Sequence, residues 1–219
     1  MTMAKKVFLA IAFLTLLGAQ SVAAQDYPTK VITMVVPFTA GGPTDTVGRL
    51  LAVPMSKMLN TTVIIENVGG AGGTIGANRV AKSSPDGYTI FLHHIGQSTA
   101  PALYRKLPYD PINDFEPIGL INEVPMTLVA KKDFPAKDLK ELIAYVKANK
   151  TKINLANAGL GAASHLCGTL FMSAIETDLT TIPYSGTGPA MNDLLGGQVD
   201  IMCDQTTNTT SQIRAGKIK

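Results

Sequence analysis

The chain has 219 residues, 19 Lys and Arg against 16 Asp and Glu, a formal charge of +3, no Trp and two Cys. So weak a positive balance, with no basic stripe, excludes a nucleic-acid surface, and 6% aromatic residues argue against stacking platforms for bases or flat sugars. The cysteines lack C-x-x-C spacing, so no zinc site is expected.

Lys5 and Lys6, an apolar run over 7–19 and the small residues Val22-Ala23-Ala24 have the form of a secretory signal peptide cut after Ala24. The run is too short to span a bilayer comfortably. Its two lysines leave with it, so the mature chain is nearly neutral.

Segment 31–36 reads as a buried parallel strand of continuous apolar character. It runs into Phe38-Thr39-Ala40-Gly41-Gly42 and a helix predicted over 43–59, with Pro43 suited to the first turn and Pro54 placed to kink it. Backbone N–H groups at such a junction point at whatever sits before the helix, and the helix dipole favours negative charge there. No Lys or Arg interrupts the turn, which suits a small anion held by backbone and hydroxyl groups.

Strands are predicted over 62–66 and 88–93, with a glycine-dense stretch at 69–76 and a helix at 74–82 between them. His93 and His94, adjacent in the second strand, should point to opposite faces. The proline-rich stretch 101–117 reads as an irregular connection, with a domain boundary near 120. Apolar stretches at 118–121 and 126–130 flank Pro125, and a helix at 138–149 has capping-box spacing at Asp138 and Glu141. Strands at 153–156, 180–183 and 199–203 then alternate with helices at 164–175, 189–195 and 207–215. This alternation means an α/β fold with mainly parallel sheets, which binds ligands outside the carboxyl ends of its strands. Cys167 on a helix and Cys203 on a strand read as two buried small hydrophobes, with a disulfide as the alternative.

The first junction has two later counterparts. Asn157-Ala158-Gly159-Leu160-Gly161 precedes a helix that Ser164 is placed to cap, with His165 next to it. Pro183-Tyr184-Ser185-Gly186-Thr187-Gly188 precedes a helix with Pro189 at its first position. If these lie in different domains from the first, helix N-termini face each other across a cleft and can neutralise both ends of a dicarboxylate. The alternative is that the glycines only permit tight turns. Enzyme readings fare worse. The glycines at 70–76 approach a dinucleotide fingerprint with the third one place late, and there is neither a Walker motif nor a G-x-S-x-G elbow. Ser164 and His165 are helix neighbours that cannot face each other as nucleophile and base. Asp45 and Asp204 could form an acid–base pair, but capping or water binding is the plainer role. No enzyme activity and no cofactor are expected.

In fixed order the chain carries Tyr27-Pro28-Thr29-Lys30, Val35-Val36-Pro37-Phe38 with Gly41-Gly42 and Thr44-Asp45, Glu66-Asn67 with Gly70-Ala71-Gly72-Gly73, and Pro85-Asp86-Gly87-Tyr88-Thr89. Later come Leu107-Pro108-Tyr109-Asp110, Ser164-His165-Leu166, Pro183-Tyr184, Gly188-Pro189-Ala190, Asp193-Leu194-Leu195-Gly196-Gly197 and Asp204. On these motifs, from residue 27 to 219, it resembles the tripartite tricarboxylate transporter substrate-binding proteins, the Bug or TctC type.

The resemblance implies a periplasmic solute-binding protein with a two-lobed, type II-like Venus-flytrap fold: signal peptide 1–24, first lobe 25–120 and second lobe 121–219. It implies a small carboxylate ligand, a membrane transporter with one large and one small subunit as partner, and a monomer. Carried onto this chain, the first-lobe grip is Phe38, Thr39, Ala40, Gly41, Thr44 and Asp45. The second-lobe grip is Ala158, Gly159, Gly161, Ser164 and His165, with Tyr184 and Asp204 nearby. A sensor component feeding a signalling partner is the competing class. Three positions depart from the family pattern: Pro54 in the first helix, Cys203 where a large apolar residue is usual, and 216–219, where a family member begins the strand returning to the first lobe. The last implies an incomplete first lobe, with about a third of a typical mature chain absent. A non-functional fragment of weak stability and impaired lobe closure is then the expectation.

Overall fold

The computed structural model describes residues 26–219; the leader expected over 1–24 lies outside the described residues. Strand β1 (Ile32–Val36) is the middle of a three-stranded sheet, paired in parallel with β2 (Val63–Asn67) and β3 (Thr89–Phe91) in the order β2-β1-β3. Its run of Ile, Met and Val is buried on both faces, as a central parallel strand requires. Helix α1 (Pro43–Met58) returns the chain from β1 to β2, and packs Leu51, Ala52 and Met55 against Ile32, Met34 and Val63. The expected kink does not interrupt it: α1 is continuous through Pro54. Pro54 is exposed, as is Leu50 one turn back, so the carbonyl deprived of its N–H partner faces water.

A 3-10 turn (Ala71–Gly73) and α2 (Thr74–Ala81) lead on to β3. The stretch read as irregular from residue 101 begins instead inside a helix, α3 (Gly96–Leu103), which accommodates Pro101. The apolar segment 118–121 forms no strand, and Ile118 and Leu120 are more than 80% exposed.

The second sheet has the order β4-β7-β5-β6. Strand β4 (Met126–Ala130) runs antiparallel to β7 (Ile201–Gln205); β5 (Asn154–Asn157) and β6 (Thr180–Pro183) continue in parallel. Helix α4 (Leu139–Asn149) starts as the spacing predicts: the Glu141 N–H donates to the Asp138 side chain at 2.8 Å. Phe134, Val146, Leu155 and Ile201 fill one face of the sheet; Ala156, Leu194, Met202 and Ile218 fill the other. Each large side chain so buried contributes about 1.5–3 kcal/mol. Ile218 bridges to Lys131, and the Lys219 N–H donates to the Ala130 carbonyl at 2.9 Å, so the chain's last residues lie antiparallel on the outer edge of β4.

Three further helices follow strands of this sheet: α5 (Ala163–Ala174), α6 (Thr187–Leu195) and α7 (Thr206–Arg214). The two cysteines are not separate hydrophobes. Helix α5 packs on β7, which brings Cys167 and Cys203 to a Cα–Cα separation of 6.0 Å and joins them as a disulfide. Helix α6 starts two residues earlier than expected, so Thr187 rather than Pro189 opens it.

Candidate functional site

The ends of β1, β5, β6 and β7 meet where the lobes touch. Phe38, just past β1, packs against Ala158 and Ala162 of the second lobe. Behind it lies a cavity of about 20 Å³. Gly42, Pro43 and Thr44 line it from the start of α1, Ala163 and Ser164 from the start of α5, Thr187 from α6, and Gln205, the N-cap of α7. Four helix N-termini thus converge on one point, and none has a side-chain cap. Each carries roughly half a positive charge and free N–H groups. Ser164, expected as a cap, instead accepts from the Ala158 N–H at 2.8 Å with its Oγ, while Ala162 occupies the cap position. Its hydroxyl proton remains available to donate.

As closed here, the cavity has the space of roughly one water. That is too little for a molecule of several carbons with the lobes as they stand. Thr44, His94, Ala163 and Gln205 also border a larger hollow of about 760 Å³, with Val47, Leu92, Ile95 and Met126 in its wall.

Of the residues expected in the grip, Phe38, Thr44, Ala158, Ser164 and Asp204 line the small cavity. Thr39, Ala40 and Gly41 lie in the seam between the lobes: the Thr39 N–H donates to the Ser185 carbonyl at 3.2 Å, and Gly188 abuts Ala40 and Gly41. Gly159 and Gly161 lie in the same seam, against Gly72 and Leu103. Asp45 is turned into the first lobe, 4% exposed. Oδ2 accepts from Gly41 N–H and Arg49 Nε, both at 2.9 Å, and Oδ1 from Asn67 Nδ2 at 3.0 Å. His165 Nδ1 accepts from Gly161 N–H at 3.4 Å, and Tyr184 donates to Asp193 at 2.6 Å within the second lobe. These three shape the turns and do not line the cavity.

The lining residues beyond that set are Gly42, Pro43, Ala163, His94, Thr187 and Gln205. Gly42, Pro43 and Thr187 stand in the turn motifs, where their position at a helix start was the available signal. His94 gave none, because the extended reading of 88–93 hid it. In fact β3 ends at Phe91, and the rings of His93 and His94 do not diverge: both pack on Phe38, with centroids 5.7 and 4.7 Å away.

Burial pushes Asp45 up, but hydrogen bonds from Arg49, Gly41 and Asn67 outweigh it and hold the carboxyl below its ordinary value. Asp204, 1% exposed, behaves oppositely. Burial lifts it to about 6 against hydrogen bonds from Asn208, the Gln205 backbone and the Thr187 hydroxyl. Burial pushes His94 down to about 4.

The model of the tripartite tricarboxylate transporter family receptor matches residues 47–219. The chain belongs to this family. It is 52% identical over 204 residues to a UPF0065 protein from the TAR-I ttuE–ttuC′ intergenic region of Agrobacterium vitis, covering 93% of this chain and 59% of that protein. The structure of the periplasmic binding protein BugD is similar at 62% identity and a TM-score of 0.87, covering 88% of this chain and 64% of that one. MatC from Rhodopseudomonas palustris, solved with bound malate, is similar at 46% identity and a TM-score of 0.84, over 88% of this chain and 66% of that one. The fold is therefore the two-lobed α/β fold of periplasmic binding proteins. The chain spans less than two thirds of the length of these relatives.

Proposed function

We propose that this chain captures a small carboxylate between its lobes, as part of a periplasmic receptor serving a tripartite tricarboxylate-type transporter. The observation that carries this is the convergence of four uncapped helix N-termini on one cavity. Backbone N–H groups there, with the hydroxyls of Ser164, Thr44 and Thr187, hold an anion without a Lys or Arg. The malate bound by MatC supports a carboxylate as the ligand class. In this reading residues 1–24 export the chain, 25–120 and 121–219 belong to the two lobes, and the monomer presents its ligand to one large and one small membrane subunit. Binding rather than turnover fits the side chains: Ser164 Oγ and His165 Nδ1 are each engaged by a backbone N–H of the second lobe, not by each other.

Titration calorimetry and thermal denaturation with malonate, succinate, malate, aspartate and adipate test the proposal. At least one should raise the denaturation midpoint, since ligand at a hundred times its Kd adds about 2.7 kcal/mol to the folded state. A cooperative transition that none of them moves rejects it.

A further inference from the structure

One lining group is out of place in a carboxylate site. Asp204, at the end of β7, is the only acid in a wall otherwise made of helix N-termini, hydroxyls, the His94 ring and apolar surface. It is nearly fully buried, and no Lys or Arg pairs with it among the described residues. Asn208 Nδ2 donates to its Oδ2, and the Gln205 backbone and the Thr187 hydroxyl direct further hydrogen bonds at the carboxyl. A carboxylate has about four lone-pair sites, so acceptor capacity remains on the cavity side. A ligand carboxylate pressed against it would meet like charge, and two carboxylates sharing a site do not both stay ionised. What relieves this is a ligand group that donates a hydrogen bond. Close by, the Thr187 hydroxyl is buried, lines the same cavity and turns toward Asp204. That leaves the helix N-termini and the Ser164 and Thr44 hydroxyls to hold the anionic end while Asp204 takes the donor.

We propose that the cleft selects carboxylates bearing a hydroxyl or ammonium donor next to the carboxylate, and that Asp204 is the acceptor that reads this donor. The inference rests on the reading of the cleft as a carboxylate site. A plain dicarboxylate of the same length leaves Asp204 desolvated against a second anion. Sites built to hydrogen-bond a ligand group reject analogues that lack it for this reason.

The test compares malate, aspartate and succinate, which share four carbons and two carboxylates and differ in carrying a hydroxyl, an ammonium or neither. In the wild-type protein, malate or aspartate should bind at least ~10-fold more tightly than succinate, the scale of one hydrogen bond to a charged group. Asp204→Asn keeps the shape and removes the charge, and should compress that ratio below ~3-fold in a protein that still unfolds cooperatively. Asp204→Ser carries the same comparison should the Asn variant fail to fold. Equal binding of all three by the wild type overturns the selection while leaving the carboxylate site standing. A ratio that survives in folded Asp204 variants overturns the role of Asp204. If other small carboxylates bind and these three do not, this inference fails alone; if no carboxylate binds, the carboxylate reading fails with it.

Discussion

His93 and His94 show how single residues set the pH behaviour of this site. The Gly96 N–H donates to His94 Nδ1 at 3.1 Å, so the neutral ring keeps its proton on Nε2. Its ring lies on Phe38 at an interplanar angle of 18°. Burial pushes both imidazoles down, and in His93 the neighbouring His94 adds to it; His94 falls to about 4. Between their ordinary value near 6.5 and these lowered values, the unfolded chain binds more protons than the folded one. Stability from the pair is therefore full above about pH 6.5 and is lost as pH falls toward 4. Asp204 has the opposite sign. Lifted to about 6, it holds a proton in the folded state that the unfolded state releases, so it favours the fold as pH falls from about 6 to 4. Burial pushes His165 down as well, so three histidines against Asp204 leave a net loss on acidification. The urea midpoint should drop between pH 7 and pH 5, and His94→Gln should flatten that slope. A slope unchanged in the variant would show that the imidazole is not responsible. None of this was legible in the sequence, because the direction of both rings depends on β3 ending two residues early, where the chain turns toward α3.

At the scale of elements, the strand–turn–helix junctions were legible because their cause is local. Apolar runs, glycines and a first-turn proline fix the order of strand, turn and helix, and the backbone donors at each helix start come with that geometry. What was not legible depends on which element lies over which. Asp45 looked like a ligand group by position, but Asn67 of β2 and Arg49 one turn on claim its oxygens. Cys167 and Cys203 are 36 residues apart in sequence and meet only because α5 lies across β7. The same crossing sets a prediction. Closing a loop of that length removes unfolded-chain entropy worth about 3–4 kcal/mol in the loop-closure model. Reduction, or the Cys167→Ser/Cys203→Ser pair, should lower the urea midpoint accordingly and leave ligand selectivity intact, since neither cysteine lines the cavity. Equal midpoints with and without reductant would mean that the crossing is held by packing alone.

At the scale of the whole molecule, the two lobes meet backbone to backbone, and glycine makes that approach possible. Gly72 of the first lobe sits so close to Leu160 of the second that a Cβ there would fall on the Leu160 carbonyl oxygen. Tyr104 spans the same contact, its hydroxyl 2.6 Å from the Ala71 carbonyl and 2.9 Å from that of Leu160, with one proton to give to either. Thr99 Oγ1 donates across the seam to the Gly161 carbonyl at 3.2 Å. Gly186 is the sharper probe. Its φ of 167° is extended backbone that any residue adopts, so alanine costs its own lobe little. A Cβ there would lie 2.9 Å from the Thr39 backbone nitrogen and closer still to the Thr39 hydroxyl, both in the opposite lobe. The hydroxyl can rotate away; the backbone nitrogen moves only if the turn after β1 moves. Gly186→Ala should therefore leave each lobe's fold within ~0.5 kcal/mol of wild type, as surface changes do. Closure is where it should act. Carboxylate affinity should fall by ~10-fold or more, because the ligand must then be held with the N-termini of α1 and α6 further apart. Solution scattering at saturating ligand should show the variant keeping the larger radius of gyration of the ligand-free protein while the wild type contracts. Contraction of the variant to the wild-type radius would mean that the seam yields to a methyl group, and that closure is set elsewhere than at the contact between Gly186 and Thr39.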